Sequence, residues 1–164
     1  MASIPFGDYL LLERIGLGGT AEIFRAVRRG RRPGEPEVAL KRLLPPLAED
    51  PDIARLFLRE VGALGRIRHP GVVRLLDHGE VGGLPFLVMP LHTGVTLRQV
   101  LRAGPLAAAE ALVVAADVAL ALAAGHAQGV IHRDVSPTNV LVDADGAVLV
   151  IDFGIARVAG LAHT

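Results

Sequence analysis

The 164-residue sequence has no cysteine and no tryptophan, and only one tyrosine, one lysine and one asparagine. Without cysteine there are no disulfides, no thiolate metal sites and no cysteine nucleophile. Net charge is absent too. Lys+Arg and Asp+Glu stand at 17 each, so no global field points to nucleic acid or to an anionic membrane. The N-terminus, MASIPFGDYLLLER, lacks a basic stretch followed by an apolar one and is not expected to be a signal peptide. The longest apolar stretch, 106–124, carries Glu110 and Asp117. A membrane span needs about 20 mostly apolar residues, so the two carboxylates favour a buried core helix and no membrane segment. What is plentiful is apolar. At 51% hydrophobic, the chain has enough for the core of about one domain, and a soluble cytoplasmic protein is expected. Against a background rich in Ala, Gly, Arg and Pro, the positions of the sole lysine, Lys41, and the sole asparagine, Asn139, carry information.

The chain is organised around residues 131–152. This stretch opens with His132, Arg133 and Asp134, places Asn139 five residues after Asp134, and runs into Asp152, Phe153 and Gly154. Two apolar runs, 140–142 and 147–151, are separated by Asp143, Asp145 and Gly146. Asp-Gly is a strong hairpin-turn signal, so the stretch reads as loop, strand, tight turn, strand, loop. Such a hairpin brings Asp134 and Asn139 at one end to face Asp152 at the other. Two carboxylates and an amide converging at strand ends suit a divalent metal and a phosphate, and one carboxylate can take a proton from an attacking hydroxyl. At this spacing the residues resemble the catalytic and metal loops of protein kinases.

Other stretches fit the same pattern. An apolar run, 9–15, enters Gly16, Leu17, Gly18, Gly19, Thr20 and Ala21, and residues 22–27 then alternate. This reads as strand, glycine-rich turn, strand, and so as a flap whose backbone N–H groups cover phosphates rather than the start of a dinucleotide-binding helix. Ala21 takes the place of a third glycine, and its methyl limits close backbone approach. The basic loop 28–36 reads as a solvated connector. Residues 38–41 form a short strand ending in Lys41. Asp50 and Pro51 are a helix N-cap and first position. From there Ile53, Leu56, Phe57, Glu60, Val61 and Leu64 mark one helix face. A carboxylate on that face needs a partner, and Lys41 is the obvious one. Residues 72–76 and 85–89 read as two further strands joined by Gly82 and Gly83. Thr96 caps a short helix to Ala103, and 106–128 reads as a long helix apolar all round.

The motifs occur in order with kinase-like spacing over nearly the whole chain, which is similar to the first part of a bacterial serine/threonine protein kinase domain. That resemblance implies an α+β, bilobal fold. A five-stranded antiparallel N-lobe with one helix would occupy 1–90, and an incomplete helical C-lobe 91–164. It implies ATP and Mg2+ as cofactors and a protein carrying Ser or Thr as partner. It makes Asp134 the catalytic base, with Lys41 and Glu60 as the phosphate-holding pair and Asn139 and Asp152 as metal ligands. Residues 16–21 would cover the phosphates. Residues 89–94 would be the hinge, with the Pro90 carbonyl and His92 N–H reading the adenine. Ile15, Leu17, Ile23, Ala39, Met89 and Leu141 would enclose the nucleotide. His132 and Phe153 would belong to an apolar stack with Leu64 and Leu75. The motifs of later C-lobe helices do not occur, and Ser136 stands where such kinases carry a lysine. Two further readings are a non-catalytic, pseudokinase-like nucleotide-binding fragment and a small-molecule phosphotransferase of related fold. Arg133, Phe153 and Gly154 favour the protein kinase over the latter.

Overall fold

Six strands make one antiparallel sheet in the order β1-β2-β3-β4-β6-β5: β1 (Ile4–Phe6), β2 (Tyr9–Leu17), β3 (Ala21–Arg28), β4 (Val38–Leu43), β5 (Asp77–Val81) and β6 (Leu84–Pro90). They belong to a computed structural model that describes residues 3–153, with every side chain among them except that of Glu60. The chain divides into two compact units, the first made of 3–62 and 75–91, the second of 63–74 and 92–153.

In the first unit one face of the sheet carries an aromatic-rich cluster of the core. Phe6, Tyr9, Leu11, Phe24, Ala26, Leu40, Phe86 and Val88 pack together there. Phe6 and Tyr9 set their rings edge-on to Phe86, with centroids 5.5 and 6.1 Å away, the arrangement that aromatic quadrupoles favour. The Tyr9 hydroxyl donates to Asp77 Oδ2 at 2.7 Å, tying β2 to β5. Gly82 and Gly83 both have positive φ and join β5 to β6 as the primed turn that matches strand twist. A single helical turn, α1 (Pro45–Ala48), precedes α2 (Pro51–Leu64). Asp50 caps α2 as expected, its Oδ1 accepting from Asp52 N at 2.9 Å.

Three expectations need correction here. The sheet has six strands, not five, because Ile4–Phe6 adds an edge strand too short to show periodicity. The unit has α1 besides α2. The strand expected at 72–76 lies instead at Asp77–Val81. The apolar residues Val72 and Val73 turn to Val150: Val72 bridges it in parallel, and Val73 N donates to its carbonyl at 3.1 Å. The edge of the six-stranded sheet falls to a half-polar segment, as exposed edges require.

The second unit contains β7 (Val95–Thr96), α3 (Leu97–Ala103), α4 (Ala108–Ala127), β8 (Val140–Val142) and β9 (Val148–Val150), with the strands ordered β7-β8-β9. Thr96 and Gln99 form a reciprocal capping box at the start of α3. Glu110 reaches back to Ala107 N at 2.9 Å at the start of α4. α4, apolar all round as read, is little covered by the described residues. Only Ala121 and Gly125 are buried, while Leu112, Val113 and Leu120 are more than half exposed. By length and composition α4 is the one described helix able to cross a membrane. Its contacts with β9 and Phe153 instead give it one packed face and one open face in this unit.

Candidate active site

The β8–β9 hairpin forms as its sequence demands. Asp143 Oδ1 accepts the N–H groups of Asp145 and Ala147 at 3.1 and 3.0 Å, and Gly146 takes the positive φ of the turn. Strand pairing then brings the two ends together, with Ile151 N donating to Asn139 O at 3.0 Å. The residue after Ile151 is Asp152, which leaves the hairpin at the same end at which Asn139 enters it. Asn139 also reaches Asp134. Its Nδ2 donates to Asp134 O at 2.9 Å and to Asp134 Oδ2 at 2.8 Å. Asp134 is exposed, whereas Asn139 and Asp152 are half-buried. Asp134 and Asn139 are thus in direct contact, and Asp152 lies one residue beyond the Asn139–Ile151 backbone bond.

His132 holds the arrangement from beneath. It is 1% exposed, with Nε2 2.8 Å from Ile151 O and Nδ1 3.3 Å from Asp134 N. A carbonyl only accepts and an amide N–H only donates, so the neutral ring with its proton on Nε2 satisfies both. His132 thus ties the base of the Asp134 loop to the residue before Asp152. Its ring lies 4.7 Å from that of Phe153, which is fully buried. Arg133 and Asp152 are the two described non-glycine residues with positive φ, at 67° and 61°. Such backbone costs about 1–3 kcal/mol each and persists where surroundings enforce it, commonly at functional sites.

Gly125 was not singled out in the sequence. A Cβ there would lie 2.6 Å from Phe153 Cε1 and 3.2 Å from Val130 O. Only a glycine in α4 leaves room for the Phe153 ring. Its only sequence signal is a glycine inside an otherwise helical run.

In the first unit the register places the other candidates on one face of the sheet, opposite the Phe6–Phe24–Phe86 cluster. Ile23 pairs with Lys41, Lys41 with Leu87, and Ala39 with Met89. Lys41 is 6% exposed and is engaged by a partner. Pairing of Lys41 with Glu60 falls on a side chain outside the description, and Gly154 lies outside the described residues. Pro90 ends β6 opposite Val38. Ile15 and Leu17 are exposed, at 48% and 63%. Gly16 packs against Ile23, and Ala21 is buried, pairing across the sheet with Leu43. The turn closes on itself through Gly18 N to Ala21 O at 2.9 Å. Gly18 and Gly19 show no left-handed φ. An added Cβ would make only an ordinary contact at Gly18 and none at Gly19. The fold alone does not require glycine at either position. In the second unit, His92 and Leu141 line a cavity of about 120 Å³ together with Pro70, Gly94, Val148 and Leu149.

The model of the protein kinase domain family matches residues 9–163. The chain belongs to that family. Curated relatives of this kinase domain include the serine/threonine-protein kinase PkaA of Streptomyces coelicolor, 44% identical over 98% of this chain and 32% of that protein. Another is PknD of Mycobacterium tuberculosis, 39% identical over 97% of this chain and 24% of that protein. The chain thus spans a third or less of the length of these relatives. The kinase domain of Mycobacterium tuberculosis PknI is 32% identical, with a TM-score of 0.81, over 95% of this chain and 63% of that one. The protein-kinase fold, with its antiparallel N-lobe sheet, follows. Kinases of this family generally use ATP and Mg2+.

Proposed function

We propose that this chain supplies the nucleotide-binding and catalytic part of an ATP-dependent serine/threonine protein kinase. Residues 1–90 serve as the N-lobe and 91–164 as the first part of the C-lobe. Phosphate transfer passes from ATP to a Ser or Thr hydroxyl of a protein, in the cytoplasm, where ATP and magnesium are available. The observation that supports this reading is Asn139, bonded to Asp134 and through its carbonyl to Ile151 beside Asp152, with His132 bridging Asp134 N and Ile151 O.

The donor set fits the cofactors. No described group of three or more His, Asp or Glu side chains forms a protein cage for a metal. An amide oxygen and one carboxylate suit a magnesium ion that takes its remaining ligands from water and phosphates. With Asn139 Nδ2 engaged by Asp134, Oδ1 is the atom it offers to that ion. Asp152 offers its carboxylate. Magnesium and ATP, when bound, supply the phosphoryl group and neutralise its charge. Asp134, exposed at the loop surface, orients the acceptor hydroxyl and takes its proton. In the first unit Lys41, with Glu60, holds the phosphates, and the backbone of 16–21 covers them. Of the residues assigned to the adenine, Ile15, Ile23, Ala39, Met89 and Pro90 belong to the first unit and His92 and Leu141 to the second. Catalysis then rests on positioning and charge.

The substitution Gly18→Ala tests this reading. The added methyl meets only ordinary contacts, so folding stability should move by less than about 0.5 kcal/mol. Calorimetric titration with ATP and magnesium should nevertheless show affinity falling about tenfold, the worth of one charge-assisted bond from a backbone N–H. Unchanged affinity would mean that no phosphate lies under this turn.

A further inference from the structure

We propose that Glu22, acting through Arg42 and Arg14, is the positioning residue that sets the glycine-rich turn over the nucleotide phosphates; this rests on the nucleotide-binding reading above. Glu22 is one of three buried polar or charged residues described, at 7% exposure. It follows Ala21 directly and pairs across the sheet with Arg42 on β4 and with Leu17 on β2. Arg42 Nε donates to its Oε1 at 2.8 Å, and Arg14 Nη1 stands 3.7 Å from Oε2. Arg14 lies on β2, just before the turn begins. One carboxylate therefore ties both legs of the turn to each other and to the strand that bears Lys41.

Two features make this a clamp with a fixed geometry. The Arg42 guanidinium lies over the Phe6 and Phe24 rings, 5.2 and 4.9 Å from their centroids, so it has little freedom to follow a moving partner. Between Arg14 and Gly16 the β2–β3 register shifts by one residue, leaving Ile15 as the extra residue of a bulge. A bulge bends its strand and leaves part of the ladder unpaired. The clamp spans that weak point. Arg42 neighbours Lys41 on β4, so its side chain takes the opposite face of the sheet, and the clamp does not occupy the Lys41 face. A buried ion pair is not a cheap way to stabilise a sheet, since apolar residues of like volume often do as well. Its value here is in fixing the direction of the turn.

Two variants test this, Glu22→Gln and, on the exposed arm of the clamp, Arg14→Gln. Hydrogen exchange without nucleotide should show amides 16–21 exchanging about tenfold faster in Glu22→Gln, with Leu40 and Val88 unchanged, and a smaller effect in the same direction in Arg14→Gln. In Glu22→Gln, affinity for ATP should fall about tenfold while affinity for adenosine, which has no phosphates, stays constant. Unchanged exchange at 16–21 in both variants would overturn the clamp, whatever the protein binds. Equal losses for ATP and adenosine would overturn its role toward the phosphates. Failure of the parent protein to bind ATP would instead sink the nucleotide reading, with the exchange result still judging the clamp.

Discussion

Gly125 makes the sharpest stability prediction. A methyl placed there would lie 2.6 Å from Phe153 Cε1, about 1 Å inside the usual carbon–carbon contact. The helix has little room to give way, because the Gly125 carbonyl already accepts the N–H groups of Gln128 and Val130, both at 2.9 Å. The ring must yield instead. Phe153 is fully buried against His132, so the strain resembles an overpacked core, costing about 1–3 kcal/mol. Alanine in a helix interior returns about 1 kcal/mol relative to glycine. Gly125→Ala should therefore destabilise by about 0–2 kcal/mol. In a Phe153→Leu background Cε1 is gone, and the same substitution should stabilise by up to about 1 kcal/mol. Urea unfolding of the four proteins in a double-mutant cycle measures the coupling, expected to be about 1–3 kcal/mol. An equal effect of Gly125→Ala in both backgrounds would refute the packing argument.

Tyr9→Phe should cost about 1 kcal/mol at neutral pH through loss of the bond to Asp77. Burial first, and the Asp77 carboxylate second, push the Tyr9 phenol well above its ordinary 10.0. Its folded pKa is raised, so the stability linked to it is whole below pH 10 and is lost as pH rises from there. Unfolding midpoints of Tyr9→Phe should accordingly decline less than the parent's on the alkaline limb, and parallel curves would contradict this. Ser136→Lys should preserve or raise kcat for phosphate transfer by adding a cation beside the phosphoryl group. It sacrifices only the exposed 2.7 Å bond between the Ser136 and Thr138 hydroxyls, so a clear fall in rate would show a loop reorganised around serine.

The parts legible in the sequence were those fixed by local chemistry. The Asp143–Gly146 turn, the Asp50 and Thr96 caps and the Gly82–Gly83 hairpin each depend on residues a few positions apart, and all form as read. The hairpin in turn sets Asn139 against Ile151, the residue before Asp152. What escaped depends on distant partners. Val72 and Val73 look like a strand of the large sheet, but Val150, far along the chain, claims them. Tyr9 and Asp77 lie 68 residues apart, and Glu22 meets Arg42 only once the β3–β4 register is known. Gly125 carries no pattern in a helix of small residues; the need for it comes from one ring nearly thirty positions later. The apolar circumference of α4 reads as burial, yet the described residues cover little beyond Ala121 and Gly125.

The central claim is that Asp134 acts on an acceptor hydroxyl. Its most direct test is transfer of γ-labelled phosphate from ATP to a serine-containing protein, in parent and Asp134→Asn, with nucleotide affinity measured in parallel. The account predicts that kcat falls by about 100-fold or more, the usual contribution of a positioned base, while ATP affinity stays within about twofold. Retained transfer in Asp134→Asn, or a collapse of ATP affinity with kcat preserved, would contradict it.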